Sequence, residues 1–165
     1  MTQNQLKLIV HYNPLTGIFT WLKDTGFRKR VGATAGCLTS DGYILIGIHN
    51  SLYKAHRLAW LYVYGEMPIK HIDHINHTRS DNRIINIREA TPHINQKNMT
   101  MFSNNKTGFT GVGYDKKRNR YRATIQHKGK HIFLGRFITK EDAIIARKEA
   151  NIKYGFHKNH GELNE

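Results

Sequence analysis

Cysteine is almost absent from this chain of 165 residues, since Cys37 is the only one. A single cysteine excludes an intrachain disulfide and a zinc cluster built from four cysteines, so we expect no structural zinc. Cys37 lies in a weakly polar stretch, and we predict that it is a small buried hydrophobic residue rather than a reactive thiol.

Long apolar runs are missing as well. No stretch of the sequence approaches the length of a membrane-spanning helix, and its first residues show no signal-peptide pattern. We therefore expect no membrane partner and a cytoplasmic location. The length of 165 residues predicts one or two small domains, and the hydrophobic fraction of only 39% predicts that their cores are thin.

Acidic residues are scarce compared with basic ones. Twelve Asp and Glu residues against 26 Lys and Arg residues give a formal net charge of +14. Such an excess is typical of proteins that bind polyanions, and nucleic acid is the expected partner. An anionic membrane surface is the competing interpretation.

Turn residues divide the sequence into short helices and strands. The apolar pattern predicts, in order, a helix within 3–12, strands at 18–22 and 43–48 separated by a basic loop at 28–30, a helix at 55–64, a hairpin within 70–90 and a helix beginning near Thr91. Residues 101–107 are polar and lack periodicity, which predicts a linker. Three strands and a helix capped by Thr139 follow.

The sequence thus predicts an α+β fold with two modules. The first, residues 1–100, would contain an N-terminal β-rich segment and a β-β-α core at about 70–100. The second, residues 108–165, would contain a three-stranded antiparallel sheet packed on one helix.

Residues able to carry chemistry concentrate between positions 72 and 95. The motif reads Ile72-Asp73-His74-Ile75, then Asp81-Asn82-Arg83-Ile84-Ile85-Asn86-Ile87-Arg88, then Thr91-Pro92-His93-Ile94-Asn95. A carboxylate beside a histidine, followed by two asparagines, can supply a general base, oxygen ligands for a hard metal and a structural clamp. Phosphodiester hydrolysis requires these groups.

The region from Asp73 to Asn95 resembles the HNH homing endonucleases of phages and introns, in the H-N-N variant whose last motif position is asparagine. Residues 12–21 and 53–60 resemble the amino-terminal part of the same phage group. After the linker, the chain resembles a plant ethylene-response-factor (Apetala-type) DNA-binding domain at Gly111-Val112, Ala123, Ile125, Leu134-Gly135-Arg136-Phe137 and Ala143. The resemblance implies a ββα-metal nuclease unit followed by a sheet that reads double-stranded DNA.

The resemblance also implies a role for each motif residue. His74 would be the general base, and Asp73 and Asn95 would bind one divalent metal ion, with Mg²⁺ expected and Mn²⁺ as the alternative. Asn86 would fix the base by tying the loop to the second strand. Arg83 would contact the scissile phosphate or brace the loop. Since neighbouring strand residues point to opposite faces, we predict that the strand ends or bulges at Asp73 and His74.

In the second module the resemblance implies DNA contacts from the sheet face. The candidates are Tyr114, Lys116, Arg118, Arg120, Arg122 and Arg136. Strand alternation places Arg120 and Arg122 on one face and Tyr121 on the other, toward the helix. The chain departs from the plant pattern at Gly113 and Phe133, so base preferences cannot be carried over.

Together these features predict a metal-dependent, site-specific DNA endonuclease of the homing type, acting as a monomer of phage origin in the host cytoplasm. A single active site favours nicking. The alternative is a catalytically inactive, sequence-specific DNA-binding or regulatory protein. An RNA-binding protein ranks last, because the sequence shows no paired aromatic strand motif of the base-stacking kind.

Overall fold

A computed structural model describes residues 1–24 and 30–161, without the side chain of His93. The predicted basic loop at 28–30 lies outside the described residues except for Arg30. The chain divides into two compact units, Met1–Thr91 and Pro92–Glu165, each with its own apolar core. The predicted linker at 101–107 falls within the second unit, and the division into functional domains stays a prediction.

The first unit consists of short elements joined into small antiparallel sheets. They are α1 (Gln3–Lys7), β1 (Val10–Tyr12), β2 (Phe19–Trp21), β3 (Cys37–Leu38), β4 (Ile44–Ile48), β5 (Ser51–Lys54), α2 (Ala55–Tyr64), β6 (His71–His74), a 3-10 turn (Ile84–Asn86) and β7 (Ile87–Ala90). Strand β1 pairs with β2, β4 lies between β3 and β5, and β6 pairs with β7. Helices alternating with small antiparallel sheets confirm the predicted α+β class.

Helix α1 is shorter than the sequence predicts. A capping box formed by Thr2 and Gln5 begins it, but the chain leaves the helix before Val10. Val10 pairs with Trp21, and both side chains are buried, as are those of the neighbouring pair Tyr12 and Phe19. Burial in a strand pair therefore outweighs the local helical pattern.

Helix α2 supplies much of the first core. Its buried residues are Ala55, His56, Leu58, Ala59 and Leu61. Gly65 ends the helix in the left-handed conformation (φ 88°), and its N–H donates to the carbonyl of Leu61 at 3.0 Å. The predicted burial of Cys37 is wrong, because β3 is a two-residue edge strand whose side chains are both exposed.

The second unit contains the predicted three-stranded sheet and helix. Its elements are α3 (Pro92–Gln96), β8 (Val112–Asp115), β9 (Arg120–His127), β10 (Lys130–Phe137) and α4 (Lys140–Lys153). Strand β9 lies between β8 and β10, all antiparallel, and α4 covers one face around Val112, Ala123 and Ala143. None of the helices in the described parts of the chain is long and apolar enough to cross a membrane.

Candidate functional site

Strand β6 carries Asp73 and His74 to its end. Asp73 pairs with Arg88 of β7 and His74 pairs with Ile87, in continuous register. The sequence predicts that the strand either ends or bulges at Asp73 and His74. The structure shows the first alternative, because β6 ends at His74 without a bulge. Asp73 and Arg88 therefore share one face of the hairpin, and His74 lies with Ile87 on the buried face.

Arg88 holds the carboxylate of Asp73. Its Nε and Nη2 donate to Oδ2 of Asp73 at 3.1 and 2.9 Å. A guanidinium that grips one carboxylate oxygen from two nitrogens restricts the rotation of that side chain. The orientation of Asp73 is thus set by the strand opposite.

His74 is buried among polar and aromatic side chains. Its Nε2 lies 3.4 Å from Oδ1 of Asn82, and its ring makes an edge-to-face contact with His56 at 4.9 Å between centroids. Burial lowers the pKa of His74, while the contact with Asn82 and the charge of Asp73 partly oppose this shift. The imidazole is consequently neutral at neutral pH, as a general base must be.

Asn86 ties together the loop that follows β6. Its Oδ1 accepts a hydrogen bond from the N–H of Asn76 at 3.0 Å, and its Nδ2 donates to the carbonyl of Asp81 at 2.8 Å. Its own carbonyl accepts from the N–H of Ile75, the residue after His74, at 2.8 Å. One buried asparagine therefore joins the end of β6, the loop and the start of β7.

Asp81 and Arg83 brace the same loop. Arg83 donates from Nε and Nη2 to the two carboxylate oxygens of Asp81 at 2.8 and 2.5 Å, and Asn76 donates to Asp81 at 2.8 Å. The hydrogen bond from Arg83 is the main reason that the pKa of Asp81 is lowered. The loop-bracing role is thus the one observed for Arg83, and its phosphate contact stays a prediction.

Asn82 is a site residue to which sequence reasoning gave no role. It is buried, its carbonyl accepts from the hydroxyl of Tyr12 at 2.7 Å, and its Nδ2 donates to the carbonyl of Ser80 at 3.0 Å. A Cβ on Gly17 (φ 75°) would lie 2.6 Å from the carbonyl carbon of Asn82. The only indication of this role in the sequence is that Asn82 lies four residues before Asn86 within the motif.

Asn95 lies on α3, in the second unit. Its Oδ1 is buried and has no hydrogen-bond partner, which is costly for an amide oxygen. The chain just after α3 is held by the C-terminal segment, because Lys97 Nζ donates to the carbonyl of Tyr154 at 2.6 Å and His157 N donates to that of Lys97 at 3.0 Å. Asp73 belongs to the other unit, so its pairing with Asn95 stays a prediction.

The chemistry of the available donors suits a hard cation. Within residues 1–24 and 30–161, no group of three or more His, Cys, Asp or Glu side chains is arranged to hold a metal ion. Asp73 and Asn95 offer oxygen atoms, and the buried Oδ1 of Asn95 lacks the partner that a ligand atom would gain. Mg²⁺ binds through one or two carboxylates and keeps waters and phosphate oxygens, so the predicted ligands fit it.

The sheet of the second unit presents three of the predicted DNA-contacting arginines together. Arg122 lies between Gly113 and Arg136 across the strands, and Arg120 pairs with Asp115, so the three arginines share one face. All three are exposed. Arg136 also lies 3.6 Å from the carboxylate of Asp115.

The other three candidates lie elsewhere on this unit. Lys116 and Arg118 are exposed in the turn between β8 and β9, and Arg118 contacts the carboxylate of Asp115 at 3.2 Å. Tyr114 pairs with Tyr121, with 5.0 Å between ring centroids. Because cross-strand partners share a face, Tyr114 lies on the face opposite the arginines.

Comparison with known proteins places this site in a family. A family model of HNH endonucleases matches residues 53–97, which include α2, β6, β7 and α3. Protein 3.8 of Escherichia phage T7 is 32% identical over 104 residues, which make up 60% of this chain and 86% of that protein. The chain belongs to the HNH endonuclease family. The predicted enzyme class is thereby confirmed, and the relative is a phage protein, in line with the predicted phage context.

A solved structure gives a more distant match to this HNH endonuclease. The structure, of DNA binding and cleavage by the HNH homing endonuclease I-HmuI, is 24% identical with a TM-score of 0.43 and covers 55% of this chain. The chain spans about half of the I-HmuI chain, since 51% of it is covered. The Apetala-type identity of the second module stays a prediction.

Proposed function

We propose that this HNH endonuclease is a metal-dependent, site-specific DNA endonuclease of the homing type that nicks one strand of double-stranded DNA. The observation that carries the proposal is the placement of His74. A buried, neutral imidazole ends the strand, and the preceding residue in the chain is a carboxylate held by Arg88. A general base of this kind suits hydrolysis of a phosphodiester by water.

His74 takes a proton from the attacking water in this proposal. Its depressed pKa keeps the imidazole unprotonated at neutral pH, so the ring is ready to accept the proton. Asn82 and His56 contact the ring and limit its rotation. Asn86 acts indirectly, since its three hydrogen bonds fix the loop that begins one residue after His74.

Asp73 and Asn95 would hold one divalent cation, Mg²⁺ by preference or Mn²⁺. When bound, the cation would supply positive charge that stabilises the leaving 3′ oxygen. The hydrogen bonds from Arg88 would orient the carboxylate of Asp73 as partners of metal ligands commonly do. No structural zinc is part of the proposal.

The second module would bind the duplex through the face of its three-stranded sheet, as an Apetala-type DNA-binding domain does. Its exposed cations would contact phosphates and base edges: Arg120, Arg122 and Arg136 from the sheet face, Lys116 and Arg118 from the adjacent turn. Arg83 would add a phosphate contact near the cleavage site. One active site per monomer yields a nick, and the phage relative favours action in the host cytoplasm.

The contact between Arg88 and Asp73 favours the second candidate, a catalytically inactive DNA-binding protein. A guanidinium 2.9 Å from the predicted metal ligand could replace the cation and preserve the hairpin without chemistry. Such a protein would keep the charge and the sheet but need no metal.

Cleavage of supercoiled DNA separates the two candidates. The wild type, His74→Ala and His71→Ala are compared with Mg²⁺ and with a chelator, and the products are end-mapped. His71 is a matched control because it is an exposed histidine at the other end of β6. Defined nicks from the wild type and His71→Ala alone, lost in chelator, would support the nuclease. Binding without breaks in all three proteins would leave the inactive candidate.

A further inference from the structure

The second unit contains an open cavity on the side of the sheet away from the arginines. It has a volume of 770 Å³, within the range of roughly 300–1,000 Å³ that is usual for ligand pockets. One wall is the polar segment that the sequence predicts as a linker, and the other is formed by β8 and β9. Tyr114 lines it, away from the sheet face that carries Arg122.

Aromatic rings line this cavity and stay open to solvent. Phe102 is 63% exposed and Tyr114 is 46% exposed, and the ring of Tyr121 lies 5.0 Å from that of Tyr114. A hydrogen bond between the Tyr114 hydroxyl and Asn119 holds the tyrosine in place. Exposed rings on the two walls of the cavity offer apolar faces on which a flat group can stack.

The charged groups of the cavity are all of one sign. Lys106, Lys116 and Lys140 line it, and none of the lining residues is Asp or Glu. Amide and hydroxyl groups from Asn104, Asn105 and Thr107 complete the polar part of the wall. The lining therefore selects a ligand that combines an anion with a stacking ring, and a nucleotide has both parts.

We propose that this cavity binds unpaired nucleotides of single-stranded DNA, with a base on Phe102 and Tyr114 and phosphates on the three lysines. A base within a duplex cannot occupy such a site, because its neighbours cover both of its faces. The cavity and the arginine face lie on opposite sides of the sheet, so the three sheet arginines and the aromatic rings contact DNA from different surfaces, and Lys116 is the one residue assigned to both. This inference goes beyond the proposed cleavage and requires only a DNA partner.

The test measures binding of the full chain to two probes in chelator, where no metal-dependent cleavage occurs. One probe is a labelled single strand of thymidine with one 2-aminopurine, whose fluorescence reports stacking, and the other is a labelled duplex. The variants are Phe102→Ser, Tyr114→Leu and Tyr114→Phe. Phe133→Ser is the matched control, since Phe133 is 54% exposed and pairs with Thr124 on the arginine face.

Phe102→Ser should weaken single-strand binding about tenfold, a typical loss for one base-stacking ring. Tyr114→Leu should act likewise and Tyr114→Phe should not, since it keeps the ring. The wild type and Phe133→Ser should quench the 2-aminopurine fluorescence, and Phe102→Ser should not. The affinity of Phe102→Ser for the duplex should be unchanged. Equal weakening by Phe102→Ser and Phe133→Ser, or no quenching by the wild type, would overturn the proposal.

The lysines are tested in a second variant that does not touch the rings. Lys106→Gln combined with Lys140→Gln should reduce the salt dependence of single-strand binding, because fewer counterions are released from the strand. An unchanged salt dependence would contradict the assignment of phosphates to these lysines. Failure of cleavage in the plasmid experiment leaves both measurements intact, so the two proposals can fail separately.

Discussion

Asn86 in the first unit and Asn95 in the second are both predicted site residues, yet their surroundings differ in kind. Asn86 is buried, and its side-chain oxygen and nitrogen both have backbone partners within 3.0 Å. The side-chain oxygen of Asn95 is buried with no hydrogen-bond partner. The first arrangement stabilises the folded chain, whereas the second costs free energy unless something else binds there.

The hydrogen bonding of the two asparagines distinguishes a residue that positions others from one that binds a ligand. A residue that positions others is satisfied within the protein, because its work is done by holding backbone groups in place. A residue that binds a ligand has a polar atom with no hydrogen-bond partner inside the protein. Functional sites often lower the stability of the fold in this way. Replacing each asparagine tests one side of this comparison directly.

Replacement of Asn95 should have the largest effect on activity and little on stability. Asn95→Leu removes the proposed ligand oxygen, and we expect cleavage to fall by about 100-fold or more. The free energy of unfolding should change by less than about 1 kcal/mol, because no hydrogen bond to that oxygen is lost. Asn95→Asp, which keeps an oxygen, should retain part of the activity. A variant that cleaves normally would exclude Asn95 as a ligand.

Replacement of Asn86 should show the opposite balance. Asn86→Leu leaves the N–H of Asn76 and the carbonyl of Asp81 without partners, and we expect a loss of about 2 kcal/mol in the free energy of unfolding. Urea unfolding followed by tryptophan fluorescence measures it, since both tryptophans, Trp21 and Trp60, lie in the first unit. Full stability in this variant would show that the clamp contributes nothing.

The buried histidines should make the first unit sensitive to acid. Burial, aided by the charges of His74, Lys54 and Arg57, lowers the pKa of His56 from 6.5 to about 3. Between these pH values the unfolded chain binds more protons at His56 than the folded chain does. The contribution of neutral His56 to the free energy of unfolding is therefore fully present above pH 6.5 and is lost as the pH falls toward 3.

The free energy of unfolding should fall by up to about 1.4 kcal/mol for each unit of decreasing pH because of His56 alone. Urea unfolding at a series of pH values measures it through the same tryptophans. His56→Phe, which keeps a ring of similar shape, should have a shallower pH dependence. Parallel curves for the wild type and this variant would rule out His56 as the source.

The smallest effect concerns the arginine face. Arg122→Gln should weaken duplex binding modestly and reduce the slope of log affinity against log salt by about 1, the contribution of one phosphate contact. Lys148→Gln is the control, because Lys148 is exposed on α4. Identical slopes for both variants would indicate that Arg122 does not contact the duplex.

Much of the fold could be predicted because it follows from local patterns. The β6–β7 hairpin and the β8–β9 pair follow regular alternation, and Thr139 caps α4 as expected. The resemblance to the H-N-N motif located residues that lie at the end of β6, in the 3-10 turn before β7 and on α3, and their roles in catalysis stay predictions. Hydrogen bonds of the kind expected for Asn86 are present in the structure.

Other features depend on contacts that sequence spacing does not contain. The burial of Asn82 requires Tyr12, which lies 70 residues earlier in the chain. The exposure of Cys37 follows from the edge position of β3, and the face of Tyr114 follows from its register with Tyr121. Each depends on which strand lies beside which, and a one-residue change of register would reverse the face.

The hydrogen bonds that follow α3 limit where a recombination event could join the first unit to a different C-terminal module. The backbone of Lys97 accepts from His157 and that of Met99 accepts from Gly161, at 3.0 and 2.8 Å. A recombination junction within 101–107 would separate these donors from their acceptors, whereas a junction between β7 and α3 would keep them together. In such an exchange Asn95 would be inherited with the three-stranded sheet, and His74 would be inherited without it.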